Sequence, residues 1–599
     1  MITQRKREEV PIEYRWCLED IFPSDTAWHE EYTAIESLAE KYTQHSGKLT
    51  SAENLKACLQ AGEELDNRLE HLHLYSFLKG DEDTANPTYT AMREKADALL
   101  ARVGAATSFF TPELLAIPPS QVTQWLEGDA ELAAYKHWYH DVHRQRAHVL
   151  SKEIEELLAL VSEVTDAPAT IFQMLETADM RFGQVVDEDG NALELTHARY
   201  ANLMRSTNRE VRRRSYEAYN AAFAAHKHTL SATLSAWVRR SSFYAKVRGY
   251  AGAQSAAMSP DDIPEAVYSS LVSTIRQNIP TLHRYMAMRK RALGVDTLEP
   301  YDILAPLVPA AQIKVSWEQA KEWVLAALEP LGAEYVGTVR TAFDQRWIDV
   351  FENEGKSSGA YCASKYGLHP YVLLNYADTL DDVFTLAHEV GHMMHSHLTN
   401  TTQPYVYSGY SIFVAEVAST LNEALLMDYL LKTLDKEARA ALINEALEGF
   451  RGTIFRQVQF AEFEKAIYDM QQRGDGLAYD DMAKVYSRLQ AEYHGEQLTP
   501  SEYTPNEWMR IPHFYYNFYV YQYATGKSAA ESLARGLLHG SPGERSSRLE
   551  AYLGFLRSGS SAYSIELLQR AGVDMTSPKP VQDACTEFER LLDEMEAHL

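Results

Sequence analysis

The chain is poor in cysteine. Cys17, Cys58, Cys362 and Cys585 are the four among 599 residues, and they lie far apart with no Cys-x-x-Cys pair. That spacing excludes a disulfide framework and a thiolate metal site. No run of 18 consecutive apolar residues occurs, so no segment reads as a membrane-spanning helix. The opening MITQRKREEVPIEYRWCLEDIF carries charge where a secretory signal would carry its apolar stretch. The expectation is a soluble, cytoplasmic protein. Positive charge is in deficit, with 57 Lys plus Arg against 84 Asp plus Glu and a net charge of −27. A field of that sign repels phosphate backbones and anionic lipid, so neither nucleic acid nor a membrane is an expected partner. Low-complexity tracts and repeats of 20 to 50 residues are missing as well.

What is present is globular in composition, 45% hydrophobic and 24% charged, over a length equivalent to about four domains. Residues 24–110 carry helix-period patterns rich in Leu, Glu and Ala, which predict a helical bundle. Pro112, Pro118 and Pro119 break that pattern and mark the first boundary, with helix resuming at Gln121. Residues 182–186 and 192–196 flank the turn-rich 187–191 and predict a β-hairpin. Helix returns over 197–248, where Arg212, Arg213 and Arg214 read as a solvated face interleaved with glutamates. A helix over 317–331 is followed by short strands at 347–351 and 369–376, separated by a 355–359 glycine loop, and from Thr379 onward the chain is helical. The fold class is mainly α with a small β element.

Thr379 and Asp382 form a capping-box-like start for a helix that contains His388-Glu389-Val390-Gly391-His392. At 3.6 residues per turn, positions 388 and 392 stand only about 40° apart, so both imidazoles reach one metal. Glu389 lies about 100° round from His388, where a carboxylate can act as general base toward an attacking water. Imidazole ligands and a four-coordinate centre with one open position suit Zn²⁺. The bland alternative, two hydrogen-bonded core histidines, would bury two imidazoles, a carboxylate and a helix glycine with many partners to find. Gly391 costs about 1 kcal/mol relative to Ala in a helix interior, which makes sense where another backbone or a substrate passes close. His395 shares the face of His388 and is a weaker ligand candidate, while His397 points elsewhere. A metzincin would need Gly at 395 and His at 398, where the chain has His395 and Leu398. A second helix, 411–431, offers Glu416 and Glu423 on one face, seven residues apart, and either carboxylate fits a third ligand. A salt-bridged surface stripe is the alternative for that pair.

HEVGHMMHSHL, with FVAEVASTLNE placing Glu416 28 residues after His388, resembles the thimet-oligopeptidase-like family of zinc metallopeptidases, and the resemblance extends over most of the chain. It implies one zinc per chain held by His388, His392 and Glu416, with Glu423 orienting a histidine ring. It implies a two-lobed helical body with a deep substrate channel and hydrolysis of short unstructured peptides in their interior. It also implies a division into a helical region at 1–110, an oligopeptidase-F-type N-terminal domain at 111–195 and a catalytic domain at 196–599. Residues 513–523 hold His513 and five tyrosines, Tyr515, Tyr516, Tyr519, Tyr521 and Tyr523. Imidazole and phenol donors near a zinc can stabilise a developing oxyanion, whereas an aromatic helix face in the core is the ordinary reading of such a stripe. By resemblance His513 and Tyr521 are assigned to catalysis, and Tyr516 and Tyr519 to substrate binding, although the segment lacks the thimet-type glycine pair and has a shorter His-to-Tyr interval. Gly409, in the segment 407–410 between the two metal helices, is assigned to substrate as part of a glycine loop that can move; the alternative is merely a turn. The strand 369–376 offers an edge for an extended peptide, or is a buried structural strand. A helical zinc carboxypeptidase and a non-catalytic peptide-binding scaffold are the competing functions; an intact Glu389 argues against the second.

Overall fold

The computed structural model describes residues 5–308 and 313–599. The elements used below are, in chain order, α1 (Asp25–Tyr42), α2 (Ala52–Glu82), α3 (Pro87–Thr107), β1 (Gln184–Val186), β2 (Ala192–Glu194), α4 (Arg209–Ala225), α5 (Lys227–Val247), β3 (Ile348–Asp349), β4 (Tyr361–Ala363), β5 (Tyr371–Leu373), α6 (Leu380–Thr402), α7 (Ile412–Thr433), α8 (Arg456–Arg473) and α9 (Tyr521–His539). Helix dominates, as the composition and periodicity predict. The chain forms two compact units, one from residues 1–146, 313–430 and 533–572, the other from 147–312, 431–532 and 573–599. No helix among the described residues is long and apolar enough to cross a membrane.

In the first unit, α1 to α3 start where side chains satisfy the orphan N–H groups of a first turn. Ser24 Oγ accepts from Ala27 N, Ser51 Oγ from Asn54 N, and Asn86 Oδ1 from Thr88 N with Pro87 at the first helical position. Their apolar faces enclose Trp28, Ile35, Leu65, Leu72 and Leu99, and Tyr371 and Leu373 of β5 belong to the same core. The bundle thus seats the strand that precedes α6. Pro112 lies in the first turn of a short helix, Phe110–Ala116, where its missing N–H is not needed. The break falls at Ile117 and Pro118, and Pro119 opens the next helix.

The small sheet has the order β3-β5-β4, with β3 parallel and β4 antiparallel to β5. β4 went unread in the sequence because three residues after a glycine loop give no alternation to detect. Its presence corrects the reading of strand 369–376 as a peptide-binding edge. β5 is the fully buried central strand, and the edge on that side belongs to Tyr361, Cys362 and Ala363. The buried Asp349 of β3 is met by two cations. Lys356 Nζ stands 2.7 Å from Asp349 Oδ1 and donates to the carbonyls of Phe351 and Leu374, while Arg7 bridges Asp349 and Glu82.

In the second unit, β1 and β2 form the predicted antiparallel hairpin, pairing Gln184 with Glu194. The arginine cluster on α4 is only partly the solvated face that was expected. Arg213 and Arg214 pair with Glu210 and Glu217 on the helix surface. Arg212 is 2% exposed, and its guanidinium bonds to Asp302 at 2.8 Å and to the backbone carbonyls of Tyr301 and Ser206. Each nitrogen of this buried guanidinium has a partner, and one-dimensional charge patterning cannot distinguish it from its exposed neighbours.

Candidate active site

The capping box forms as the sequence predicts. Thr379 Oγ1 accepts from Asp382 N at 3.2 Å, and Asp382 Oδ2 accepts from Thr379 N at 2.9 Å. This fixes the start and rotation of α6, which turns His388 and His392 toward α7. The Nε2 atoms of the two rings approach to 3.2 Å, and Glu416 Oε2 lies 3.3 Å from the first and 3.6 Å from the second. One ligand atom from each of these residues falls within 4.8 Å of the others, so the three can hold a metal ion. The donor chemistry fits a cation. His388 Nδ1 bonds to Glu423 Oε1 at 2.5 Å, and since a carboxylate only accepts, that nitrogen carries a ring proton and Nε2 is the atom left to face a metal. The Ala415 backbone bonds to the His392 ring, burial and then the charge on His388 lower the basicity of His392, and two nitrogens and a carboxylate oxygen converge. Against the burial that would raise it, the His388 and His392 rings and the Ser419 hydroxyl hold Glu416 well below the usual carboxylate range.

Glu389 is 6% exposed, and its Oε2 is buried with no hydrogen-bond partner among the described residues. Burial above all pushes its carboxyl up to about 7, with His388 opposing and Glu416 and Glu423 adding to the shift. A carboxylate of that basicity, with one oxygen unengaged, is suited to exchanging protons near neutral pH. Gly391 is where the two metal helices meet. A Cβ there would lie 2.5 Å from Ser419 Cα and 2.6 Å from the Ala418 carbonyl oxygen, so the glycine permits the backbone approach that its sequence position suggested.

His395 does not join the cluster. It is buried and stacks on Tyr410 with ring centroids 3.8 Å apart and planes at 5°, while Tyr410 OH bonds to Ser396 Oγ. His397 packs on Trp347 instead. Gly409 is exposed, but its neighbours are pinned: Ser560 N donates to the Tyr407 carbonyl, Ser411 Oγ meets Ser564 Oγ at 2.6 Å, and Gly559, at φ +50°, presses close to the Tyr407 carbonyl. Nothing in the sequence flagged Tyr410 or Gly559, whose partners are distant along the chain.

In the second unit, the aromatic segment separates into two sets. Tyr515 stacks on Phe172 and bonds to Thr233, and Tyr521, 1% exposed, lies edge-on to Tyr268. These two take the core positions of an aromatic stripe. His513 gathers the others: Tyr523 OH bonds to His513 Nε2 at 3.1 Å, the Tyr519 ring is parallel to the imidazole at 5.9 Å, and the Tyr516 ring, 63% exposed, lies 6.0 Å away. Burial, and then the charge of Arg456, lower the basicity of His513. The sequence singled out His513, Tyr516 and Tyr519 from this set; Tyr523 was not assigned, because ten residues from His513 has no meaning on a helix.

A mainly helical fold that turns a His-Glu-x-x-His helix and a glutamate of the next helix onto one point is that of a helical metallopeptidase. The comparisons narrow the class. Residues 202–587 match the model for peptidase family M3, and residues 113–182 match the one described as oligopeptidase F. The chain belongs to the M3 peptidases. It is 44% identical to the oligopeptidase PepF of Bacillus subtilis over 98% of this chain and 88% of the relative. It is 40% identical to the plasmid oligoendopeptidase F of Lactococcus lactis subsp. cremoris, over 99% of this chain and 98% of that one. The crystal structure of oligoendopeptidase-F from Enterococcus faecium superposes with a TM-score of 0.74 at 35% identity, covering 96% of this chain and 99% of that one.

Proposed function

We propose that the protein is a zinc-dependent endopeptidase that cuts internal bonds of short unstructured oligopeptides. The observation that carries this is the convergence of His388 Nε2, His392 Nε2 and Glu416 Oε2, beside a buried carboxylate with an unengaged oxygen. Two neutral imidazoles and one carboxylate, with a position left for a fourth ligand, suit Zn²⁺ over softer or harder ions. Bound there, zinc supplies Lewis-acid chemistry, acidifying a water and polarising the scissile carbonyl. Glu389 takes the proton of the attacking water on its carboxylate and delivers it to the leaving amine, so no covalent intermediate with the protein is needed. Glu423 holds His388 in the tautomer that leaves Nε2 unprotonated. In this reading His513 and a tyrosine donate to the oxyanion; Tyr523 is bonded to His513 whereas Tyr521 is buried, and Tyr516 and Tyr519 offer ring faces to substrate side chains. The edge strand β4 is suited to main-chain pairing with an extended peptide. The names of the bacterial relatives, oligopeptidase and oligoendopeptidase, support oligopeptides as substrates and cleavage in their interior. Four unpaired cysteines support a reducing, cytoplasmic setting.

Metal analysis combined with cleavage of an internally quenched peptide blocked at both ends tests the reading. One zinc per chain and internal cleavage that stops on chelation are expected. Cleavage only of peptides with a free C-terminus would point to a carboxypeptidase, and neither metal nor cleavage would overturn the proposal.

A further inference from the structure

His513 and Tyr523 are ten residues apart, and in a continuous helix they would stand about 15 Å from one another along the axis. They touch because the chain reverses between them, at two consecutive residues in the left-handed region, Asn517 at φ 43° and Phe518 at φ 54°. Neither is glycine. Asparagine tolerates this conformation better than most residues, but phenylalanine does not, and a pair in sequence persists only where the surroundings over-determine it.

The surroundings do so through one oxygen. Asn517 Oδ1 accepts from Trp237 Nε1 at 2.8 Å, from Ser241 Oγ at 2.9 Å and from Tyr468 OH at 2.9 Å. An indole nitrogen can only donate, so the atom facing it is the amide oxygen and not the nitrogen. Two helices, α5 and α8, thereby grip a single side chain at the point of reversal. The next residue is gripped as well: Phe518 N donates to the buried Glu464 Oε1 at 2.7 Å, and the Phe518 ring packs on Tyr468. Upstream of this pivot stand His513 and Tyr516, and downstream Tyr519 and Tyr523, so the pivot sets how the two halves of the array face each other.

We propose that Asn517 is a positioning residue for the peptidase reaction, holding His513 and Tyr523 in register through its side-chain oxygen. The inference rests on the role given to those two residues under the proposed function. Rotation or loosening of the pivot moves donors that must meet an oxyanion to within a fraction of an ångström, and moves the rings of Tyr516 and Tyr519 with them, while leaving the metal-ligand residues alone.

The test is steady-state cleavage of the blocked, quenched peptide by the zinc-loaded full chain, with metal content and thermal midpoint measured alongside. Asn517→Ala is expected to lower kcat by about tenfold or more with metal content unchanged. Asn517→Asp, which keeps an acceptor oxygen in place, is expected to retain most of kcat. Should Asn517→Ala fail to fold, Tyr468→Phe removes one donor and keeps the ring; a fall in kcat with metal content unchanged supports the proposal, and an unchanged kcat overturns it. Equal losses in the Ala and Asp variants, or a kcat for Asn517→Ala within twofold of the parent while His513→Phe is impaired, also overturn it. If His513→Phe and Tyr523→Phe both turn over at the parental rate, the role of the array itself is wrong and Asn517 has nothing to position.

Discussion

Glu423 and Glu389 are both close to His388, yet they are engaged differently. Glu423 is committed to the ring proton of His388, whereas Glu389 keeps a buried oxygen without a partner. Substitution separates the two roles. Glu389→Gln is expected to bind metal as the parent does and to lose nearly all turnover; retained turnover in a metal-replete variant would refute the general-base role. Glu423→Gln is expected to weaken metal affinity by about 10- to 100-fold, read by competition with a chromogenic chelator, because the ring is no longer held in its ligating tautomer. A third carboxyl shows what burial does without a cation. Glu464 accepts from Phe518 N and is otherwise enclosed, and burial pushes it up to about 8. An unfolded glutamate ionises near 4.3, so the folded chain holds a proton that the unfolded chain releases. Stability from this group is fully present below pH ~4 and is lost as pH rises through about 8. Glu464→Gln, a neutral mimic, is expected to match the parent in thermal midpoint at pH 5 and to exceed it at pH 8.5. A midpoint difference that does not change with pH would exclude this origin.

Two helices make the metal cluster, and their separation is set by an absent side chain. At Gly391 a methyl group would meet backbone atoms of Ser419 and Ala418, which cannot swing aside as a side chain can. Gly391→Ala is expected to push α7 outward, costing about 1–3 kcal/mol of stability and weakening metal affinity together, because Glu416 rides on the displaced helix. Unchanged affinity would show that the helices part elsewhere. This contact was legible in the sequence, since a glycine between two helical histidines has few other reasons to be there. The capping box, the shared face of His388 and His392, and the hairpin at 184–194 were legible because each depends on partners within one element or on a short turn, whereas Glu416 was chosen over Glu423 only through the family resemblance. What escaped depends on partners far along the chain. β4 is too short to show alternation, Arg212 looks like Arg213 until Asp302 is brought to it, and Tyr523 meets His513 only across a reversal made by two non-glycine left-handed residues.

At the scale of the molecule, the metal cluster is a small polar feature beside large apolar cores. The bundle core around Trp28 and Leu72 takes nothing from it. Chelation is therefore expected to abolish turnover while leaving helical circular dichroism unchanged, with a midpoint that rises again as zinc is restored, in proportion to ligand-linked stabilisation. Loss of helix on chelation would mean that the metal holds the fold together.

The order in which the chain is made adds a constraint. The unit that carries His388 and Glu416 is closed by residues 533–572, where Leu556 and Arg557 accept hydrogen bonds from Thr399 and Gln403, and Gly559 lodges against the Tyr407 carbonyl. At roughly 5–20 residues per second, the histidines emerge from the ribosome many seconds before the segment that seats their helices. A nascent or truncated chain that lacks residues 533–572 thus carries the whole His-Glu-x-x-His motif without the scaffold that aligns it, and hydrolytic competence waits for that segment to be made.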